Sequence, residues 1–139
     1  CMAGLAEDWL ARYPSIQMVL DVHRDSLETD DGAQLALRAD VDGEACAKLL
    51  LVMGSNGSGL EHPGWRQNLA NAARLQALCE QRAPGLMRDL LLRASRYNQH
   101  LTPRSMLLEV GTAGNSLEEA LRSADIFSQV LADCLLGKA

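Results

Sequence analysis

Two short, mostly apolar runs that each stop abruptly at polar residues most constrain what this chain can fold into. Ile16 to Val22 gives way to His23-Arg24-Asp25-Ser26, and Ser105 to Val110 carries Glu109 and gives way to Gly111. Runs this short and this apolar read as strands buried on both faces, which need layers packed against the sheet. Open α/β sheets place their sites where such strands end.

The segments between them supply the layers. Leu5 to Tyr13 puts Leu5, Trp9 and Leu10 on one face and is stopped by Pro14, the pattern of a short amphipathic helix. Gln34 to Val41 and Glu44 to Met53 are strand-like and flank Asp42-Gly43, a hairpin signal because both turn positions need positive φ. Gly54-Ser55-Asn56-Gly57-Ser58-Gly59 reads as a loop and lacks the Lys-Ser/Thr ending of a phosphate cradle. Trp65 to Arg82 has the 3.6-residue spacing and alanine content of a long helix ended by Pro84-Gly85. Leu86 to Ala94 fits either a helical turn or a strand, and Arg96 to His100 is a polar loop. A final helix follows a cap at Asn115 or Ser116, with Glu118 and Glu119 complementing its dipole. Its expected apolar face is Leu117, Leu121, Ala124, Ile126, Phe127, Val130 and Leu131. The whole predicts one α/β domain over residues 1–139, three-layered, with a mixed sheet and one hairpin.

Composition excludes some functions. A net charge of −5 argues against nucleic-acid binding, which needs clustered Lys and Arg. No apolar run is long enough to span a bilayer. Aromatic residues make up 4%, so Leu, Val, Ala and Met must build the core. None of Cys1, Cys46, Cys79 and Cys134 forms a C-x-x-C pair, so they read as small buried hydrophobes rather than zinc or redox ligands. Cys1 in place of Met, with helix-like sequence starting almost at once, reads as a fragment of a longer protein.

His23 and Glu109 are polar groups at the ends of apolar strands, where burial without a partner costs free energy. A neutral imidazole there suits a metal ligand, with Asp21 or Asp25 accepting from its other nitrogen, or a simple hydrogen bond. A Glu in that setting has a raised pKa unless a metal or Arg balances it, which suits general acid/base work on water. The alternative is a structural ion pair of Glu109 with Arg24, Arg96 or Arg104. His62 and His100 lie in polar loops and read as solvated.

Six strings occur in one order: Val22-His23-Arg24-Asp25-Ser26; Val52-Met53-Gly54-Ser55-Asn56; Gly64-Trp65 with Asn68-Leu69; Pro84-Gly85-Leu86; Arg96-Tyr97-Asn98-Gln99; and Leu108-Glu109-Val110-Gly111 with Asn115 to Ala120. In that order they resemble the stage II sporulation protein P family, from about His23 to near the C-terminus. The resemblance implies an amidase-like fold lacking its N-terminal strand, and a zinc N-acetylmuramoyl-L-alanine amidase acting on peptidoglycan. It implies His23 as one zinc ligand and Glu109 as the catalytic Glu, the other His and Glu ligands lying upstream. The 139-residue chain alone is then expected to be inactive. Arg24, Asn98 and Gln99 are the candidate substrate contacts. An N-terminal membrane anchor, an extracytoplasmic location and a glycan-cleaving lytic transglycosylase partner are further implications. A non-catalytic wall-binding or regulatory domain on the same fold is the alternative.

Overall fold

The computed structural model describes residues 2–138, so the reading of Cys1 lies outside the described residues. Among the described residues three α-helices, α1 (Met2–Arg12), α2 (Trp65–Arg82) and α3 (Leu117–Leu135), and one 3-10 turn, Gln99–Leu101, combine with six strands. The strands are β1 (Val19–Asp25), β2 (Arg38–Val41), β3 (Glu44–Ala47), β4 (Leu49–Gly54), β5 (Leu91–Arg93) and β6 (Ser105–Thr112). The main sheet has the order β1-β6-β4-β5. β1 runs parallel to β6, β6 antiparallel to β4, and β4 parallel to β5, so the sheet is mixed as expected.

β4 is buried along its whole length, which is why Leu49 to Met53 is uninterruptedly apolar. Alternation divides it. Leu49, Leu51 and Met53 join Met106, Leu108 and Val110 of β6 against Ala72, Leu75 and Cys79 of α2 and Ala120, Phe127 and Val130 of α3. Leu50 and Val52 join Leu107 on the opposite face. Both packed helices therefore cover the same side of the sheet.

Asp42 and Gly43 have φ of 55° and 83°, and Val41 pairs with Glu44 across them, so the hairpin forms where the turn chemistry placed it. Other boundaries differ. The run Glu44 to Met53 is two strands, because the chain leaves the hairpin at Lys48, whose amide donates to the Leu37 carbonyl. Regular pairing in the preceding segment starts only at Arg38. β1 begins at Val19 and continues through Asp25, and it is an edge strand with Val22 60% exposed, so it is not the doubly buried strand its composition suggested.

Residues 86–94 resolve into a bridge at Met87 and the short edge strand β5. α1 forms, but Leu5 and Trp9 of its expected apolar face stay exposed, with Trp9 stacked on Tyr13 just beyond the helix end. α3 buries Glu119, Ala120, Ser123, Phe127 and Val130, whereas Leu117 and Leu121 face solvent. The cause is local. Ser116 and Glu119 form a capping box, Glu119 turns inward to Asn115, and the Ser123 hydroxyl donates to the Ala47 carbonyl. Polar anchoring rotates the first turns away from the face that hydropathy favours.

Candidate active site

His23 of β1 and Glu109 of β6 are direct partners in the parallel ladder. Neighbouring strands lie about 4.8 Å apart and in-register residues project to the same face, so the two side chains leave the sheet together. That face is the one turned away from α2 and α3, because Glu109 follows Leu107 in the alternation. Asp21 and Asp25 project the same way two residues to either side of His23. Beyond Glu109 the register shifts: Asp25 pairs with Thr112 rather than Gly111. Gly111 permits this bulge with φ of 73°, and a Cβ there would stand 2.6 Å from the Ala47 Cβ.

The polar contacts follow from this register. His23 Nε2 lies 2.8 Å from Asp21 Oδ1, a carboxylate–imidazole pair that fixes the ring and leaves its other nitrogen for a ligand. Arg88 Nη1 donates to Asp25 Oδ2 at 2.6 Å, with both side chains about three-quarters buried. Glu109 Oε2 is buried and has no hydrogen-bond partner among the described residues. Burial pushes its pKa up, the charge of Asp25 adds to this, and His23 and Arg88 oppose it. The result is a partly desolvated, basic carboxylate beside an oriented imidazole.

None of the three arginines weighed as ion-pair partners reaches Glu109. Arg24 points to the other side of β1 and donates to the carbonyls of Thr112 and Asn115, at 2.6 Å each. Arg96 donates to the Glu61 carbonyl and Arg104 to the Gln17 side chain. The arginine of this face is Arg88, which sequence reasoning missed. Its segment fitted helix or strand equally well, so no face could be assigned to it.

Asn98 and Gln99 are not brought to this cluster. They lie beside the C-terminal end of β4, and β4 runs antiparallel to β6, so they sit at the opposite end of the sheet from Glu109. Gln99 is 2% exposed, its Oε1 accepting from Gly54 N at 2.9 Å and its Nε2 donating to the Val52 carbonyl at 2.8 Å. It completes the hydrogen bonding of β4 where β6 no longer does. Asn98 is exposed, with φ of 60°. A cleft of about 510 Å³ beside Met18, Arg74, Arg104 and Met106 also lies at the starting end of β1 and β6, away from His23 and Glu109.

Catalytic zinc takes three protein ligands and a water. Among the described residues no group of three His, Cys, Asp or Glu side chains could hold a metal ion. His23, ordered by Asp21, fits one position of such a set, and the described residues do not supply the others.

Comparison with known proteins bears on what this arrangement belongs to. Residues 2–132 match the family described as Stage II sporulation protein P (SpoIIP). A protein of Bacillus subtilis (strain 168) named Stage II sporulation protein P is 33% identical over 138 residues. That alignment covers 93% of this chain and 32% of the relative, so the chain spans about a third of the relative's length. No solved structure matches. With the family match running almost end to end, this chain belongs to the stage II sporulation protein P family.

Proposed function

We propose that this chain is part of a zinc-dependent N-acetylmuramoyl-L-alanine amidase that cleaves stem peptides from peptidoglycan during sporulation. The observation that carries the reading is the buried, unpartnered Glu109 Oε2 in register with an imidazole oriented by Asp21. Glu109, kept basic by burial and by Asp25, accepts the proton of the attacking water and delivers it to the departing amine. His23 contributes one ligand nitrogen, and the remaining ligands come from outside the described residues. A bound zinc would supply Lewis acidity toward the amide and the attacking water. Arg88 holds Asp25 in place beside Glu109. Arg24 acts at one remove, fixing the carbonyls of Thr112 and Asn115 where β6 turns toward α3.

The face carrying Glu109 is where the third layer of an amidase-like α/β/α fold would lie. The whole protein acts outside the cytoplasm, held by a membrane anchor beyond these residues and working with a glycan-cleaving lytic transglycosylase. Among the described residues no helix is long and apolar enough to cross a membrane.

A non-catalytic, wall-binding or regulatory role on the same fold is the second reading. Muropeptides incubated with the whole protein distinguish the two. The amidase reading expects new peptide amino termini that disappear with a chelator and return with zinc. Saturable muropeptide binding with no released peptide at any zinc concentration would establish the second reading instead.

A further inference from the structure

One buried side chain holds down an otherwise exposed loop. Between Gly54, which ends β4, and Trp65, which opens α2, residues 56–63 are exposed apart from His62, which is 2% exposed. The solvated ring that its polar surroundings predict is therefore not found. Both ring nitrogens are closed off from solvent, and neither has a hydrogen-bond partner among the described residues. Buried polar atoms are nearly always paired, so the loop closes over a group whose lost hydration nothing replaces. The loop's other ties are few and lie at the surface, where water can substitute for them. Ser55 Oγ donates to the Arg93 carbonyl at 2.9 Å, Ser58 N to the Ala94 carbonyl at 3.1 Å, and Arg96 Nη1 to the Glu61 carbonyl at 3.1 Å.

The surroundings make a positive charge on this ring costly. His100, on the 3-10 turn, stands edge to face with ring centroids 6.5 Å apart, and its own Nδ1 is buried without a partner. Burial lowers the pKa of His62 from the ordinary 6.5, and His100 and Arg96 lower it further. Burial and then Arg96 do the same to His100. The nearby acids do not offset this. Glu7 of α1 favours a charge on His100 alone, while Glu61 and Arg66 line the cavity beside His62 with opposite charges. No ion pair among the described residues includes either ring.

We propose that His62 is an acid-released latch: a proton taken up by its ring, or by His100 beside it, frees residues 55–64 while the sheet and α2 stay folded. A protonated imidazole carries two donors, and inside this contact it finds no acceptor, so the ring leaves for water and takes the loop with it. The sign follows from the linkage of protons to folding. A histidine whose pKa is lowered in the closed form holds that form at full stability above about pH 6.5 and releases it as pH falls. Each pH unit below that raises the open population by up to about tenfold per ring, until the closed form itself binds the proton.

Hydrogen exchange of the whole protein, read by mass spectrometry and scaled to the intrinsic amide rate at each pH, tests the latch. The reporters are the amides of Ser58 and Trp65, which donate to the Ala94 and His62 carbonyls. Peptides spanning residues 55–66 should open at least about fivefold more at pH 5.5 than at pH 7.5, while β4 peptides stay equally protected at both. His62→Leu replaces the ring by an apolar side chain of similar volume, and more than half of that rise, on a logarithmic scale, should vanish. The wild-type pH series decides alone if the variant does not fold. Scaled exchange of residues 55–66 that is the same at the two pH values overturns the proposal. So does an equal rise in β4, which makes the opening global, or a His62→Leu variant that keeps more than half of the wild-type rise.

Discussion

Glu119 anchors α3 to the sheet and to the segment before the hairpin, and its replacement by Gln gives a prediction whose size and pH dependence both follow from the structure. Its carboxylate receives hydrogen bonds from Arg38, from Asn115 Nδ2 at 2.8 Å and from Ser116 N at 3.1 Å. Asn115 in turn accepts from Thr112 N and donates to the Leu37 carbonyl, so one acid ties together β6, the hairpin approach and the helix cap. The Arg38 contact, then that of Asn115, holds the Glu119 pKa down from the usual 4.5 to about 2. At about 1.4 kcal/mol per pKa unit the ceiling is about 3 kcal/mol. Arg38 is half exposed, so water screens its share, and about 2 kcal/mol is the expected loss for Glu119→Gln at pH 7. A depressed carboxylate pKa stabilises the fold fully above the unfolded value and loses that contribution as pH falls through the folded one. The gap between wild type and variant should therefore be complete above about pH 5 and nearly closed by about pH 2. Urea titrations at pH 7, 4 and 2.5 measure it, with a midpoint difference at pH 7 of about 1 M. Equal midpoints at pH 7, or a gap that does not narrow in acid, would refute the reasoning.

Substitutions at two further positions test local assignments. Gly43→Val should cost about 1 kcal/mol or more, from φ of 83° alone, because an added Cβ meets nothing within 4 Å. Gly43→Asn should cost less, since Asn tolerates the left-handed region, and identical melting of the Val and Asn variants would show that the turn does not set the cost. Gln99→Met should lose roughly 2–4 kcal/mol, because it keeps the volume but leaves Gly54 N and the Val52 carbonyl unpaired in the core. Chemical denaturation near wild-type stability would place Gln99 outside the structural role given to it here.

What the sequence made legible is what local chemistry decides. The Asp42-Gly43 turn, the bounds of α2 and the Ser116 cap follow from residues within a few positions of one another. The pairing of His23 with Glu109 was legible too, because two apolar strands ending alike in an α/β chain belong side by side. Long-range polar contacts were not. Nothing near Gln99 in the sequence marks it as the partner of β4 backbone, and its neighbourhood of polar residues suggested a surface instead. Arg88 was hidden because Leu86 to Ala94 has no clear period, and its side cannot be known until β5 takes its place on the sheet edge. His62 lies among Glu61, Pro63 and Gly64, a composition that speaks for solvent, yet the fold closes over it. α3 shows the same limit from the other direction. Hydropathy favours Leu117 and Leu121, but the capping box and the Glu119 anchor decide which side of the first turns faces inward.

The roles proposed for Glu109, proton acceptor in an amide hydrolysis, and for His23, metal ligand, can be separated by substitution. In the whole protein, product release from muropeptides and zinc content should be measured together for the wild type, Glu109→Gln and His23→Ala. Gln keeps the shape of Glu but cannot take the proton of water, so Glu109→Gln should lose at least about a hundredfold in turnover while keeping its zinc. His23→Ala removes a ligand nitrogen and should lose zinc along with activity. Glu109→Gln turning over near the wild-type rate, or His23→Ala retaining full zinc occupancy, would contradict the account.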